Sequence, residues 1–317
     1  MERFIIEGTR NLSGTVSVSG AKNAILPVMA ACLLAPGKSI LRNVPNLNDL
    51  KAMAHLLRVL GARVDYGKGS MSIDSKDVCY TEAPYELVSK MRASIYVLGP
   101  LLARLGEARV SFPGGCAIGT RPVDLHLKAM EALGAEIAIE HGYIHARAKQ
   151  LTGGDIYFEK SSVGATINAL MAAVLAKGKT RMFNAAMEPE VDATIDLLNK
   201  MGALISGKGS TTLVIEGVDD LFPVEMAMIP DRIEAGTFLV AGALSTSPVT
   251  VCNCEPAHLT ALIDKLREAG CNMEVGESSI TVTPPKVIKP VNIITLPHPG
   301  FPTDLQQPLT ALLSVAN

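Results

Sequence analysis

The chain has 317 residues, more than one ordinary core holds, so about two domains are expected. Its 48% hydrophobic and 19% charged residues fit a globular protein and exclude a disordered one. A formal net charge of −2 leaves no broad cationic surface for nucleic acid, so any anionic ligand must be held by local lysines and arginines. The N-terminus, Met1-Glu-Arg-Phe-Ile-Ile-Glu, carries charge where a secretory signal would be apolar, and the apolar run Ala24 to Ala35 is too short to span a bilayer. A cytoplasmic protein without a membrane partner is expected. The six cysteines (32, 79, 116, 252, 254 and 271) follow no framework spacing, which points to reduced thiols. Cys252-Asn-Cys254 has no second Cys/His pair at finger spacing, and the six histidines form no HExxH cluster, so neither a metal nor a cofactor is expected.

Four segments follow one plan. Each opens with an apolar helix, predicted at Ala21–Ala35, Arg92–Leu105, Val163–Ala176 and Ile233–Leu244. A short strand follows: Ser39-Ile-Leu-Arg-Asn, Ala108-Arg-Val-Ser-Phe, Thr180-Arg-Met-Phe-Asn and Val249-Thr-Val-Cys-Asn. Pro45, Pro122, Pro189 and Pro256 then suit the first turn of a second, amphipathic helix. Those helices stop at Gly61, Gly134, Gly202 and Gly270, which recur every 68 to 73 residues. A strand pair completes each unit, as in Ala62-Arg-Val-Asp-Tyr and Ser70-Met-Ser-Ile, giving βαβαββ. The class is therefore α/β, with compact units packed as trefoils around one buried helix each. Ala165 to Ala176, apolar almost all round, is such a helix. The near-match of Gly202-Ala-Leu-Ile-Ser-Gly207-Lys208-Gly209 to a phosphate loop runs from helix to strand, the reverse of the required context, and reads as a hairpin turn. A fifth unit starts at His298-Pro-Gly-Phe-Pro-Thr-Asp304, and Asn317 falls inside its first helix, so a C-terminally shortened chain is expected.

The segment Phe112-Pro-Gly-Gly-Cys116-Ala-Ile-Gly-Thr-Arg121-Pro-Val-Asp124 places a cysteine in a glycine-rich loop five residues before an arginine. A thiol beside positive charge favours reactivity, although a lone cysteine in a loop is equally consistent with an incidental surface residue.

Together, Ser19-Gly-Ala-Lys22-Asn23-Ala, Cys116 ahead of Thr120-Arg121-Pro-Val-Asp-Leu-His, Ser162-Val-Gly-Ala-Thr and Phe301-Pro-Thr-Asp304-Leu-Gln resemble the UDP-N-acetylglucosamine 1-carboxyvinyltransferases. The motifs stand in order along the whole chain and cover about three quarters of a typical member. The resemblance implies a two-domain inside-out α/β barrel, the enolpyruvyl transferase fold. Residues 1–21 plus 230–317 would form a discontinuous return domain and 22–229 a central domain of three repeats. It implies transfer of the enolpyruvyl group of phosphoenolpyruvate to the 3-hydroxyl of UDP-N-acetylglucosamine with release of phosphate, at the start of peptidoglycan synthesis. Such chemistry needs a base for the hydroxyl, an acid for C3 and cations on phosphate and carboxylate.

By the same resemblance Lys22 and Asn23 hold phosphoenolpyruvate at a helix start, where free N–H groups suit an anion. Arg92 contacts substrate. Arg121, Pro122, Val123, Asp124 and Leu125 bind the nucleotide sugar, and Lys160, Ser161, Ser162, Val163 and Gly164 form the uridine-diphosphate loop. Asp304 is the candidate base, with an N-cap role as its structural alternative. Cys116 is the proton donor on a closing loop, where fosfomycin alkylates family members. Nearby Lys22 and Arg121 favour thiolate, while an acid must arrive protonated; bound anionic substrate would restore the thiol. Arginines that complete the family's phosphoenolpyruvate pocket lie beyond Asn317, so little turnover is expected of the 317-residue form. A monomer is the expectation. The alternatives are a non-catalytic nucleotide-sugar-binding relative and 3-phosphoshikimate 1-carboxyvinyltransferase, whose family lacks this cysteine loop.

Overall fold

A computed structural model describes residues 3–9, 11–88, 91–112 and 123–317. Among them the elements run β1 (Gly14–Ser17), α1 (Lys22–Ala31), β2 (Lys38–Arg42), α2 (Asn48–Val59), β3 (Arg63–Gly67) and β4 (Ser70–Asp74). The second repeat has β5 (Glu82–Ala83), α3 (Tyr85–Val88), α4 (Leu98–Leu105), β6 (Glu107–Ser111), α5 (Asp124–Ala132), β7 (Glu136–Glu140) and β8 (Tyr143–Arg147). The third has β9 (Asp155–Tyr157), α6 (Val163–Ala173), β10 (Lys179–Phe183), α7 (Pro189–Lys200), β11 (Leu204–Ser206) and β12 (Thr212–Glu216). After β13 (Glu225–Ala227) the fourth has α8 (Arg232–Ala243), β14 (Val249–Cys252), α9 (Thr260–Glu268), β15 (Asn272–Val275) and β16 (Ser279–Thr283), and α10 (Gln306–Leu313) follows.

The chain divides into two compact units, Gly20–Ile229 and Met1–Ser19 with Pro230–Asn317. The first holds the sheets β13-β2-β4-β3, β5-β6-β8-β7 and β9-β10-β12-β11; the second holds β1-β14-β16-β15. In every sheet one edge strand runs parallel to its neighbour and the other pairings are antiparallel. The βαβαββ plan therefore holds with one twist. β5 and β9 precede their own helices, whereas the leading strands of the first and fourth sheets come from far away in sequence: β13 pairs with β2, and β1 with β14. A chain that lends its first strand to a late sheet and borrows a late strand for its first must cross between units twice.

The first helices of the first and third repeats are buried almost all round, whereas α8 of the fourth is buried on one side only. Every residue of α1 from Ala24 to Ala31 is buried, and so is every residue of α6 from Ala165 to Ala173. The second helices show one apolar face; in α2 this is Leu50, Met53, Ala54, Leu56 and Leu57. The other unit has its own core, built from Val18, Leu239, Val251, Leu266, Ile280, Val282 and Leu309. Gly61, Gly134, Gly202 and Gly270 follow their helices at φ +103°, +88°, +107° and +102°, the left-handed conformation that ends a helix.

Three sequence expectations need correction. Pro45 does not open α2, which begins three residues later at Asn48; its carbonyl instead accepts the Tyr66 hydroxyl. Pro189 and Pro256 do open helical turns. The helix expected over Arg92–Leu105 begins as a 3₁₀ segment, Arg92–Val97, because Pro100 lacks the N–H that would extend an α-helical ladder back to Tyr96. Asp304 is not an N-cap: it lies inside a 3₁₀ turn, Thr303–Leu305, and α10 is preceded by Leu305 without a side-chain cap. The Gly207-Lys208-Gly209 segment is a hairpin connection, with Lys208 Nζ 2.6 Å from both Asp196 carboxylate oxygens. Among the described residues no helix is long and apolar enough to cross a membrane.

Candidate active site

The start of α6 is built to expose backbone donors. Ser162 caps it from extended backbone (φ −143°, ψ 113°), and its Oγ accepts the Ala165 N–H at 3.3 Å. The Ser162 carbonyl then accepts the Thr166 N–H at 2.9 Å. Val163 and Gly164 form the open first turn, where N–H groups have no partner within the helix. Lys160 is exposed, and Ser161 to Gly164 are half-buried. A lysine ahead of a helix start, with serine oxygens and free N–H groups, suits phosphate oxygens.

Beneath this turn lies a polar group that sequence reading missed. His126, in the first turns of α5, is 4% exposed, and Asn168 of α6 is fully buried. Asn168 Nδ2 lies 3.1 Å from His126 Nδ1. A Cβ added to Gly164 would come within 3.2 Å of both His126 Cε1 and Nε2, so any side chain there would press on the ring, and glycine leaves it room against the helix start. Burial first, and then the Arg92 charge, push the His126 imidazole down to about 4, with Asp124 opposing. Tyr96, partly buried, has its hydroxyl pushed up to about 12 by burial, against Arg92 and with buried Glu190. Arg92, Tyr96, Asp124, His126 and Gly164 thus share one neighbourhood in the Gly20–Ile229 unit. Val123 is buried and precedes α5, Asp124 is exposed as its first residue, and Leu125 is half-buried beside it.

Lys22 and Asn23 open α1, which has no side-chain N-cap. Lys22 Nζ lies 3.3 Å from Asp49 Oδ2 of α2, and Asn23 is exposed. α1 packs against the Arg92–Val97 segment, and that segment packs in turn on α6. Asp304 stands in the other unit, exposed, and its carboxylate takes no hydrogen bond or ion pair among the described residues. Cys116, Arg121 and Pro122 lie outside the described residues. Among the described residues, no three His, Cys, Asp or Glu side chains gather as a metal centre would need.

The missed residues left faint signals. Asn168 is a large amide in a helix otherwise built of Ala, Ile, Leu and Met, and such a residue must find partners inside the core. His126 ends the Thr120-to-His126 stretch and reads there as one more helical residue.

A family model described as EPSP synthase (3-phosphoshikimate 1-carboxyvinyltransferase) matches residues 6–317. The whole chain is 54% identical to the UDP-N-acetylglucosamine 1-carboxyvinyltransferase of Desulfosudis oleivorans, covering 76% of that protein. It is also 54% identical to the protein of the same name from Chloroherpeton thalassium, covering 75% of it. Among solved structures it is similar to the enolpyruvyl transferase NikO from Streptomyces tendae, with a TM-score of 0.87 and 26% identity over 98% of this chain and 75% of that one. An EPSP synthase structure from Acinetobacter baumannii shares the fold at a TM-score of 0.71 and 18% identity, over 92% of this chain and 68% of that one. The chain spans about three quarters of the length of these curated relatives.

Proposed function

The chain belongs to the UDP-N-acetylglucosamine 1-carboxyvinyltransferases and has the enolpyruvyl transferase fold, and on that premise we propose that it moves the enolpyruvyl group of phosphoenolpyruvate onto the 3-hydroxyl of UDP-N-acetylglucosamine, releasing phosphate. The observation that carries this reading is 54% identity along the entire chain to proteins of that name. The match to the EPSP synthase family model reflects the shared fold, since identity to a solved EPSP synthase is only 18%.

In this reading the hydroxyl adds to C2 of phosphoenolpyruvate as a proton arrives at C3, and the tetrahedral intermediate then loses phosphate. Lys22 and the uncapped start of α1 hold the anionic phosphoenolpyruvate, exchanging the contact with Asp49 for one with substrate. Lys160, Ser161, Ser162, Val163 and Gly164 hold the diphosphate, with Arg92, Arg121, Pro122, Val123, Asp124 and Leu125 as further nucleotide-sugar contacts. Cations and oriented N–H groups there stabilise negative charge without reorganising during reaction. Asp304 takes the hydroxyl proton, and Cys116 delivers the proton to C3. The reaction lies at the entry to peptidoglycan synthesis, a cytoplasmic step, and Cys116 is the residue that fosfomycin would alkylate.

Two measurements on the 317-residue chain test this. Calorimetry should show saturable binding of UDP-N-acetylglucosamine and none of 3-phosphoshikimate; the reverse preference refutes the substrate. Phosphate release from phosphoenolpyruvate, dependent on UDP-N-acetylglucosamine and abolished by Cys116→Ser and Asp304→Asn, supports the transfer chemistry. Binding without release withdraws that chemistry from this form and leaves the nucleotide-sugar site.

A further inference from the structure

Helix α6 is apolar on nearly every side, yet Asn168 stands in its middle at zero exposure. An amide buried without partners would be strongly destabilising. Here its groups are engaged. Oδ1 accepts the Gly99 N–H at 2.7 Å, and Nδ2 donates to the Ile95 carbonyl at 2.8 Å. These backbone partners fix the orientation of the amide, because a backbone N–H meets only an oxygen and a carbonyl meets only the NH₂. The atom 3.1 Å from His126 Nδ1 is therefore a donor, and Nδ1 is the acceptor. A neutral imidazole that accepts at Nδ1 carries its proton on Nε2.

Nε2 does not point into apolar core. Together with Cε1 it lies against Gly164, in the first turn of α6. His126 is more than nine-tenths buried, and among the described residues nothing accepts from Nε2. A donor beside a turn of free backbone N–H groups adds to their capacity to hold an anion, and an anionic ligand there would supply the acceptor that the described residues do not.

We propose that Asn168 is a positioning residue that locks His126 with its proton on Nε2, so that His126 adds a neutral N–H donor to the ligand's phosphate oxygens at the first turn of α6. The ligand half of this inference rests on the reading that this turn holds the diphosphate of a nucleotide sugar. The division of labour is sensible chemically. Lys160 supplies charge from an exposed position, while His126 supplies direction from a buried one. A neutral ring also avoids placing an imidazolium next to Arg92, whose charge already disfavours protonation there.

The lock is tested by histidine ¹⁵N NMR of the full chain near neutral pH. One ring, identified by its loss in His126→Gln, should show a protonated Nε2 and a bare Nδ1. In Asn168→Asp the partner becomes an acceptor, and the proton should move to Nδ1. A proton on Nδ1 in the unaltered chain overturns the lock whether or not any ligand binds.

The ligand half is tested by calorimetry with UDP-N-acetylglucosamine and a double-mutant cycle. Asn168→Asp should weaken binding by about 10-fold or more, the scale of one lost hydrogen bond to a charged group. His126→Gln places an amide donor where Nε2 stood and should bind within about 3-fold of the unaltered chain, whereas His126→Asn, too short to reach, should lose about 10-fold. On the His126→Gln background, Asn168→Asp should cost less than about 3-fold, because the glutamine donor needs no tautomer. Equal losses in both backgrounds would mean that the introduced carboxylate merely repels the diphosphate, and would overturn the inference. Equal affinities for His126→Gln and His126→Asn overturn it even if Asn168→Asp does not fold. If the unaltered chain fails to bind UDP-N-acetylglucosamine, the functional reading falls and takes the ligand half with it, while the NMR result still decides the lock.

Discussion

Replacing Asn184 by alanine should destabilise the Gly20–Ile229 unit by about 2 to 3 kcal/mol, and the structure divides that sum into two parts. Asn184 follows β10 in left-handed backbone, at φ +56°. Its Nδ2 donates to the carbonyl of Phe158 at 2.8 Å, two residues before Lys160. Losing one partly buried hydrogen bond costs about 1 kcal/mol. Forcing alanine into the left-handed region costs about 1 to 2 kcal/mol more. Asn184→Gly removes only the first part, since glycine adopts this conformation freely. Urea unfolding followed by far-ultraviolet circular dichroism should therefore rank wild type, Asn184→Gly and Asn184→Ala in falling stability. Hydrogen exchange should speed up in the peptide spanning residues 158–164 in both variants. If the glycine variant loses as much as the alanine variant, left-handed strain is not a component of the loss. If both stay within about 0.5 kcal/mol of wild type, the reasoning about this position is wrong.

Three further predictions follow from the neighbourhood of the site. The Lys22–Asp49 pair is 3.3 Å apart with side chains 43% and 47% exposed, so it contributes no more than about 1 kcal/mol to stability. Asp49→Asn should leave unfolding nearly unchanged yet tighten phosphoenolpyruvate binding, measured by calorimetry with UDP-N-acetylglucosamine present, and the gain should fade as salt is raised. The His126 ring ordinarily takes its proton at 6.5 but when buried only near 4, so its stabilising contribution is fully present above pH 6.5 and is lost as pH falls toward 4, by at most about 3 kcal/mol. His126→Gln should flatten that part of the pH dependence of urea unfolding, and an unchanged slope would contradict it. Iodoacetamide near neutral pH should label exposed Cys79 and spare buried Cys32 and Cys271, whose thiols burial pushes up to about 12 and about 11, as peptide mass spectrometry can check.

The repeats were legible because each unit writes the same backbone problems into its sequence. A glycine ends the second helix wherever the chain must turn left-handed, and the opening helices that are enclosed on all sides, α1 and α6, are apolar almost throughout. The exchange of β1 and β13 was not legible as a pairing, because which distant strand fills an edge is decided by packing and not by local pattern. In the site, Lys22, Asn23 and Ser162 could be placed on helix starts from punctuation alone. His126 and Asn168 could not be joined, since 42 residues separate them and each is a single polar residue whose partner is set by how α5 packs on α6. Sequence reading also gave Asp304 a capping alternative that a 3₁₀ turn removes.

The strand ends show how the repeat was altered where chemistry is expected. Asn43, Asn184 and Asn253 occupy equivalent left-handed positions, at φ 56°, 56° and 52°. Each donates to the carbonyl just past the parallel edge strand: Met228, Phe158 and Val18. A backbone bond accompanies each, from the N–H of the same three residues to Arg42, Phe183 and Cys252. Asparagine is the residue that both tolerates the left-handed turn and supplies the donor, so its recurrence has one physical cause. The second repeat breaks the rule. Its equivalent residue is Phe112, which has neither property, and Tyr85, in the place of Phe158, turns its N–H to the Tyr143 hydroxyl at 3.2 Å instead. The strand end left without this tie is the one that leads into the segment carrying Cys116 and Arg121. Three repeats keep the clamp, and among the described residues the second, which leads into the segment proposed to carry the chemistry, does not.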